Sequence, residues 1–291
     1  MINIYKKSNL VLLSSLLLLF ISGLSLKFIG FNKGIDFAGG IVVESTCDNY
    51  KMDDVARVIE KKIKSTIITQ KIGKNCLFKS AITDNYEKII SIFKDVLEKQ
   101  NAEILNSDFA SPQMTKTFID DSIVACLFAF VCIGLYVIIR FDWRFAISGI
   151  LTLTYDVIMT LTFISYAKIE VCLITLTALL TIIGYCINDK IVVFDRIREN
   201  LYDTKPVVDV IGYSTKSVVV RSVLTSLTTI IASISLLFFG DRLIYEFGLT
   251  IIFGIVVGTI SSLVVAPSLL LLFGVKHKKR EIAKDPMWYA S

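Results

Sequence analysis

Residues 171–194 read VCLITLTALLTIIGYCINDKIVVF, and this stretch decides the fold class. An α-helix rises 1.5 Å per residue, so about 20 mostly apolar residues cross a hydrocarbon core of roughly 30 Å. Five further runs of that kind flank it, at about 10–29, 119–139, 145–167, 218–239 and 247–273. Composition agrees: 54% of the 291 residues are hydrophobic and 20% are charged, against roughly 45–50% and about 25% in soluble domains. The expectation is an α-helical polytopic membrane protein with six transmembrane helices. A single histidine, His277, excludes sites built from histidine clusters, including most zinc and di-iron centres. No cofactor or metal is expected. The net charge of +5 is too small and too spread to suggest nucleic acid.

Lysine and arginine set the orientation through the short loops. One side carries Lys6, Lys7, Arg140, Arg144, the 195–217 loop with Arg196, Arg198, Lys205 and Lys216, and the tail Lys276-His277-Lys278-Lys279-Arg280. The other side holds Lys168 with Glu170, then Asp241, Arg242 and Glu246. Both termini are therefore expected in the cytoplasm. The first run, behind Lys6 and Lys7, lacks a convincing small-x-small cleavage site and reads as an uncleaved signal anchor. The expected organisation is a cytoplasmic N-terminus and first helix over 1–30, an exported domain over 31–118, a five-helix bundle over 119–273 with a cytoplasmic loop at 195–217, and a basic cytoplasmic tail over 274–291.

Within 31–118, residues 38–46 read as a strand and 51–64 as a helix with apolar Met52, Val55, Ile59 and Ile63. Strands at 66–72 and 76–82 meet at the turn signal Gly73-Lys74-Asn75. A second amphipathic helix over 84–99 uses Ile89, Ile90, Phe93 and Leu97, and a last strand covers about 102–110. This β-α-β-β-α-β order is that of an α+β ferredoxin-like domain. Cys47 and Cys76 would fall at strand ends, where a disulfide is chemically permitted. Cys126, Cys132, Cys172 and Cys186 sit in spans and read as apolar packing residues.

Ionisable residues inside the spans carry the functional information. A charged side chain at mid-bilayer costs about 2.5–3.5 kcal/mol on insertion scales, and such groups usually face a bundle interior or a water path. Asp156 lies mid-way along the third span, Asp189 toward the cytoplasmic side of the fourth and Arg221 at the head of the fifth. The depths of Asp189 and Arg221 are compatible with a contact, whereas Asp156 has no evident partner. Low dielectric favours the protonated form of a carboxyl and a guanidinium favours the charged form, so movement of the arginine would change proton affinity. The competing reading is a static buried ion pair that fixes helix register. The fifth span is small and polar through Ser222, Thr225, Ser226, Thr228, Thr229, Ala232, Ser233 and Ser235, which suits close packing or a hydrated seam. Gly254 and Gly258 form a GxxxG close-packing signal in the sixth span, where Pro267 is expected to kink the helix.

Two motifs resemble a known family. Gly34-Ile35-Asp36-Phe37-Ala38-Gly39-Gly40 resembles the GIDFxGG motif that opens the periplasmic domain on the SecF side of the SecD/SecF protein-export family. Gly184-Tyr185-Cys186-Ile187-Asn188-Asp189, followed by Val192-Val193-Phe194-Asp195-Arg196-Ile197-Arg198-Glu199-Asn200, resembles its GYSINDxxVVxDRIREN signature. Arg140-Phe141-Asp142-Trp143-Arg144, Tyr155-Asp156 and Arg221 also fit. The resemblance implies a non-enzymatic, multi-pass subunit of the bacterial inner membrane. It would work with SecD beside the SecYEG channel, with YajC in many bacteria, on a translocating unfolded polypeptide. It implies a place in the resistance-nodulation-division superfamily, with proton-motive force driving the periplasmic domains. It also implies that Asp189 and Arg221 serve proton conduction, with Asp156 a weaker candidate. Two departures stand out. Lys190 follows the Asn-Asp pair where the family has a small hydroxyl or apolar residue; its ammonium would snorkel to the cytoplasm or lower the proton affinity of Asp189. Tyr155 stands where histidine is frequent.

Two rival readings remain. A proton-driven small-molecule or lipid exporter of the same superfamily would need a different partner. An intramembrane aspartyl protease would use Asp156 and Asp189 as its catalytic pair. Its spacing is wrong: the glycine lies five residues before Asp189, and Ala266-Pro267-Ser268 stands in place of Pro-Ala-Leu.

Overall fold

The structure, a computed structural model, describes residues 5, 7–46, 52–63, 67–72, 75–80, 86–100, 102–202, 206–240 and 242–275. Lys6, Cys47, the Gly73-Lys74 turn, Lys205, Asp241 and the basic tail from Lys276 lie outside the described residues.

Six helices are long and apolar enough to cross a membrane. They are α1 (Ser8–Ile29), α5 (Pro112–Arg140), α6 (Trp143–Tyr166), α7 (Leu173–Asn200), α8 (Val207–Phe239) and α9 (Arg242–Leu272). A small domain is inserted between α1 and α5. It comprises β1 (Asn32–Lys33), α2 (Ile35–Ala38), β2 (Gly40–Thr46), α3 (Met52–Ile63), β3 (Ile67–Ile72), β4 (Asn75–Ser80), α4 (Tyr86–Glu98) and β5 (Ile104–Ala110). A two-residue strand, β6 (Glu170–Val171), joins α6 to α7.

The domain's antiparallel sheet runs β3-β4-β2-β5, with Val43 opposite Phe78 and Ser107 in the two flanking strands. Alternation along β2 and β4 sends Ile41, Val43, Cys76 and Phe78 to one face. There they meet Val55 and Ile59 of α3 and Ile89, Phe93 and Leu97 of α4 in a single core. The strand expected from residue 38 begins at Gly40, because Ile35–Ala38 forms a helical turn instead. Gly39 and Gly40 then reverse the chain at φ +72° and +121°, a region that side chains with a β-carbon rarely adopt. Cys76 is disulfide-bonded; Cys47, with which the sequence permits a bond, lies outside the described residues.

Helix α9 is the hub of the bundle. Of its most apolar window 61% is buried, against 17% for α8. Its glycines explain why. A β-carbon on Gly254 would fall on the Ile182 side chain, and one on Gly258 would fall on Cys186 Sγ, so α9 and α7 touch backbone to side chain along the GxxxG face. The α9 helix continues through Pro267. Proline has no N–H, which leaves the Leu263 carbonyl four residues earlier without its helical donor. The Tyr5 hydroxyl, before α1, donates to that carbonyl, and Ser148 Oγ of α6 donates to Ala266 O at 2.8 Å. The carbonyl freed by Pro267 is thus satisfied by a side chain from outside the helix.

Candidate functional site

The first motif docks on the N-terminus of α7, and the second runs along its C-terminal half. At its N-terminus, β1 pairs in parallel with β6, Asn32 opposite Glu170 and Lys33 opposite Val171. Gly34 N donates to Val171 O at 2.9 Å, and a β-carbon there would stand 3.0 Å from Cys172 Cβ. The N-cap Cys172 makes no side-chain cap bond. Asp36 Oδ2 instead accepts from Leu173 N at 2.9 Å, placing a carboxylate at the positive end of the helix dipole. Gly34 and Asp36 therefore fasten the inserted domain's first segment to α7.

An ion cluster fixes the same end. Arg242 of α9 forks onto Glu170, Nη1 to Oε1 at 2.8 Å and Nη2 to Oε2 at 3.2 Å, and also reaches Glu246 at 3.3 Å. Lys79, on β4 of the domain, donates to Glu170. Burial alone would push the Glu170 carboxyl up, but Arg242 and Lys79 together hold it below its ordinary 4.5. The short-loop charges therefore tie domain to bundle. On the domain side, burial and then the nearby Asp36 and Glu44 carboxylates raise Asp108, opposed by Arg242.

At the far end of α7, Asp195 accepts from Arg140 Nη2 at 3.2 Å, and Arg198 Nη1 donates to Arg140 O at 2.9 Å. Arg196 pairs with Glu199 at 2.7 Å and reaches Ser217 Oγ at 3.2 Å. Phe141, Phe145 and Phe194 stack beneath, with ring centroids 5.5–6.3 Å apart. The two charged stretches around Arg140 and Asp195 thus build one base.

Between these ends lie the ionisable groups. Asp156 of α6 is fully buried, and so is Lys190 of α7. Lys190 Nζ donates to Asp156 Oδ2 at 2.5 Å and approaches Cys186 O at 3.4 Å. Asp156 therefore has a partner where the sequence showed none, and of the two fates expected for Lys190 snorkelling is excluded, while its charge does act on Asp189. The physical reason is azimuth. Lys190 follows Asp189 by one residue, about 100° around the helix, and that step turns it from the α8 side into the wedge between α6 and α9. Both signals stood in the sequence as opposite charges within adjacent spans.

Asp189 is 6% exposed and looks the other way. Ser222 of α8 stands beside it, and neither Asp189 Oδ2 nor Ser222 Oγ has a hydrogen-bond partner among the described residues. One turn earlier, Tyr185 donates to Ser226 Oγ at 3.4 Å. Arg221 makes no ion pair with Asp189. Its exposed side chain instead lines a polar cleft of about 590 Å³ with Tyr136, Arg140, Asp195 and Glu199. The expected contact fails by one residue: Ser222, not Arg221, faces the carboxylate. Gly184 and Asn188 lie on an open face of α7, with nothing within 4 Å of a β-carbon on Gly184. Asp156 is committed to Lys190 and Asp189 to the α8 seam, so the two carboxylates do not form the facing pair that aspartyl proteolysis requires.

Comparison with known proteins defines the class. The family described as "Protein export membrane protein SecD/SecF, C-terminal" matches residues 88–276. The chain is 36% identical over 272 residues to the protein translocase subunit SecF of Rickettsia bellii, covering 90% of each chain. It is 35% identical over 281 residues to that of Rickettsia prowazekii, covering 92% of this chain and 89% of that one. A crystal structure of SecDF, a translocon-associated membrane protein from Thermus thermophilus, superposes with a TM-score of 0.84 at 32% identity over 93% of this chain. SecDF in its super-membrane-facing form gives 0.66 at 31% identity over 91%. The chain spans 38% of the length of either SecDF protein. It belongs to the SecD/SecF family of protein-export membrane proteins, on the SecF side.

Proposed function

We propose that this chain is a non-catalytic, SecF-type translocase subunit that works with SecD beside SecYEG, with YajC as a further companion. In this reading it uses proton-motive force to promote late steps of polypeptide export. The observation that carries it is Asp189: a buried carboxylate with an unpartnered oxygen, in a seam of hydroxyls, on a chain of the SecF family. The organisation follows that reading. The protein lies in the inner membrane with both termini cytoplasmic, and residues 31–118 form a periplasmic, ferredoxin-like domain. The order of elements and the β3-β4-β2-β5 sheet support the latter. SecD would supply the complementary half, as the 38% coverage of SecDF suggests. Its helices would pack on the open α7 face with Gly184 and Asn188.

The proton step needs two environments for Asp189. Arg221 and Ser222 are successive residues on α8, about 100° apart around its axis. A turn of that helix would exchange a hydroxyl for a guanidinium opposite the carboxylate, and α8 is lightly buried. A guanidinium favours the ionised carboxylate, and an apolar setting favours the protonated one, so proton binding and helix position become linked. The polar cleft lined by Arg221 lies within one helical turn of Asp189 on α7, at Ile191 and Val192, and protons would enter from it once Arg221 turns toward the carboxylate. A membrane potential of 100 mV supplies about 2.3 kcal/mol per charge, enough to bias such a cycle. Precursor translocation into inverted vesicles, with and without proton-motive force, tests the reading. Asp189→Asn should lose the proton-dependent stimulation while inserting normally; undiminished stimulation would refute the proposal.

A further inference from the structure

We propose that Lys190 is a fixed internal counter-ion that removes Asp156 from proton exchange, so that the membrane core of this chain loads a single proton, on Asp189. The inference rests on the proton-site reading of Asp189 and adds a charge count to it. Asp156, Asp189 and Lys190 are the ionisable Asp, Glu, Lys and Arg side chains buried within the spans among the described residues. Two carboxylates and one ammonium leave a surplus of one negative charge, which one proton neutralises. If Asp156 also exchanged a proton, Lys190 would at that moment be a naked cation in a dry site, which the bilayer interior strongly disfavours.

Geometry supports a fixed pair. Both side chains are fully buried with Nζ 2.5 Å from Asp156 Oδ2, and what distinguishes this carboxylate from Asp189 is that cation, since Asp156 Oδ1 also lacks a hydrogen-bond partner among the described residues. The groups facing them from each packed helix are Cys186 on α7 and Ser261 on α9, neither of them a cation that could replace Lys190. The wedge has little room to rearrange: a β-carbon on Gly258 would fall on Cys186 Sγ and lie 3.8 Å from Asp156 Oδ2. Asp189, by contrast, borders Ser222 and the open side of α8; it feels the Lys190 charge but makes no ion pair with it.

Infrared difference spectroscopy of the full chain in complex with SecD, with carboxyl-labelled aspartate, tests it. A step in pH should produce one protonated-aspartate signal in the wild type. That signal should vanish in Asp189→Asn and persist within about twofold in the paired variant Asp156→Asn/Lys190→Met, which removes both charges together. Lys190→Met alone strands Asp156 without its cation, and the signal should approximately double. A signal abolished in the paired variant, or unchanged in Lys190→Met, overturns the inference. A signal intact in Asp189→Asn overturns the proton-site reading itself. Should the paired variant fail to accumulate, the Lys190→Met spectrum decides alone.

Discussion

Asp156 and Asp189 sit in two regions of one bundle that differ in how they bury a charge. The wedge of α6, α7 and α9 closes on glycine: Gly254 and Gly258 bring α9 against Ile182 and Cys186, and the buried carboxylate meets a buried ammonium. The seam between α7 and α8 closes on hydroxyls: Tyr185, Ser222 and Ser226 line it, and its carboxylate makes no ion pair among the described residues, although each of the two carboxylates keeps one oxygen without a hydrogen bond. Burial figures follow the same divide, 61% of the apolar window for α9 and 17% for α8. Tight apolar closure makes an ion pair permanent, since separating it leaves charges that the site cannot solvate. A loosely closed, hydroxyl-lined seam tolerates a change of charge state.

Breaking the wedge should have the largest effect. Asp156→Asn leaves Lys190 buried without a counter-charge, at a cost of about 3–5 kcal/mol, seen as a lower unfolding temperature of the detergent-purified chain; adding Lys190→Met should recover most of it. Gly258→Ala drives a methyl group into Cys186 Sγ and should cost about 1–3 kcal/mol, partly recovered by Cys186→Ala. Gly184→Ala, with open space at its β-carbon, should leave the isolated chain unchanged and weaken only its complex with SecD in co-purification. Lys79→Ala should loosen the domain's attachment by about 1 kcal/mol, read as faster hydrogen exchange in β4 and β6. The Glu170 carboxyl lies below its ordinary value, so its contribution is complete above about pH 4.5. The contribution is lost as pH falls through the lowered value, and the same hydrogen-exchange experiment across acid pH should follow that loss. Smallest is Tyr5→Phe, which removes the donor to Leu263 O at about 0.6 kcal/mol.

Much of the fold was legible from periodicity. Twenty-residue apolar runs, two amphipathic helices and alternating strands each bury one face, and that requirement is written locally. What failed was azimuth. Depth along a helix follows from counting residues, so Asp189 and Arg221 were placed at compatible levels. The direction a side chain faces depends on how neighbouring helices pack, and a one-residue error put Arg221 where Ser222 stands. The same gap concealed the Asp156–Lys190 pair, whose partners are 34 positions apart. The roles of Asp36 as a cap on α7 and of Glu170 as a tie to Lys79 were hidden likewise. Both bonds cross between segments more than 90 residues apart, or join the domain to a loop, and no local pattern announces them.

The central claim is that the seam exchanges protons and the wedge does not. Precursor translocation in one preparation of inverted vesicles, comparing Asp189→Asn with Asp156→Asn/Lys190→Met at matched complex levels, tests it most directly. Proton-motive stimulation should disappear in the first variant and stay within about twofold of wild type in the second. Stimulation that survives in the first and disappears in the second would contradict it.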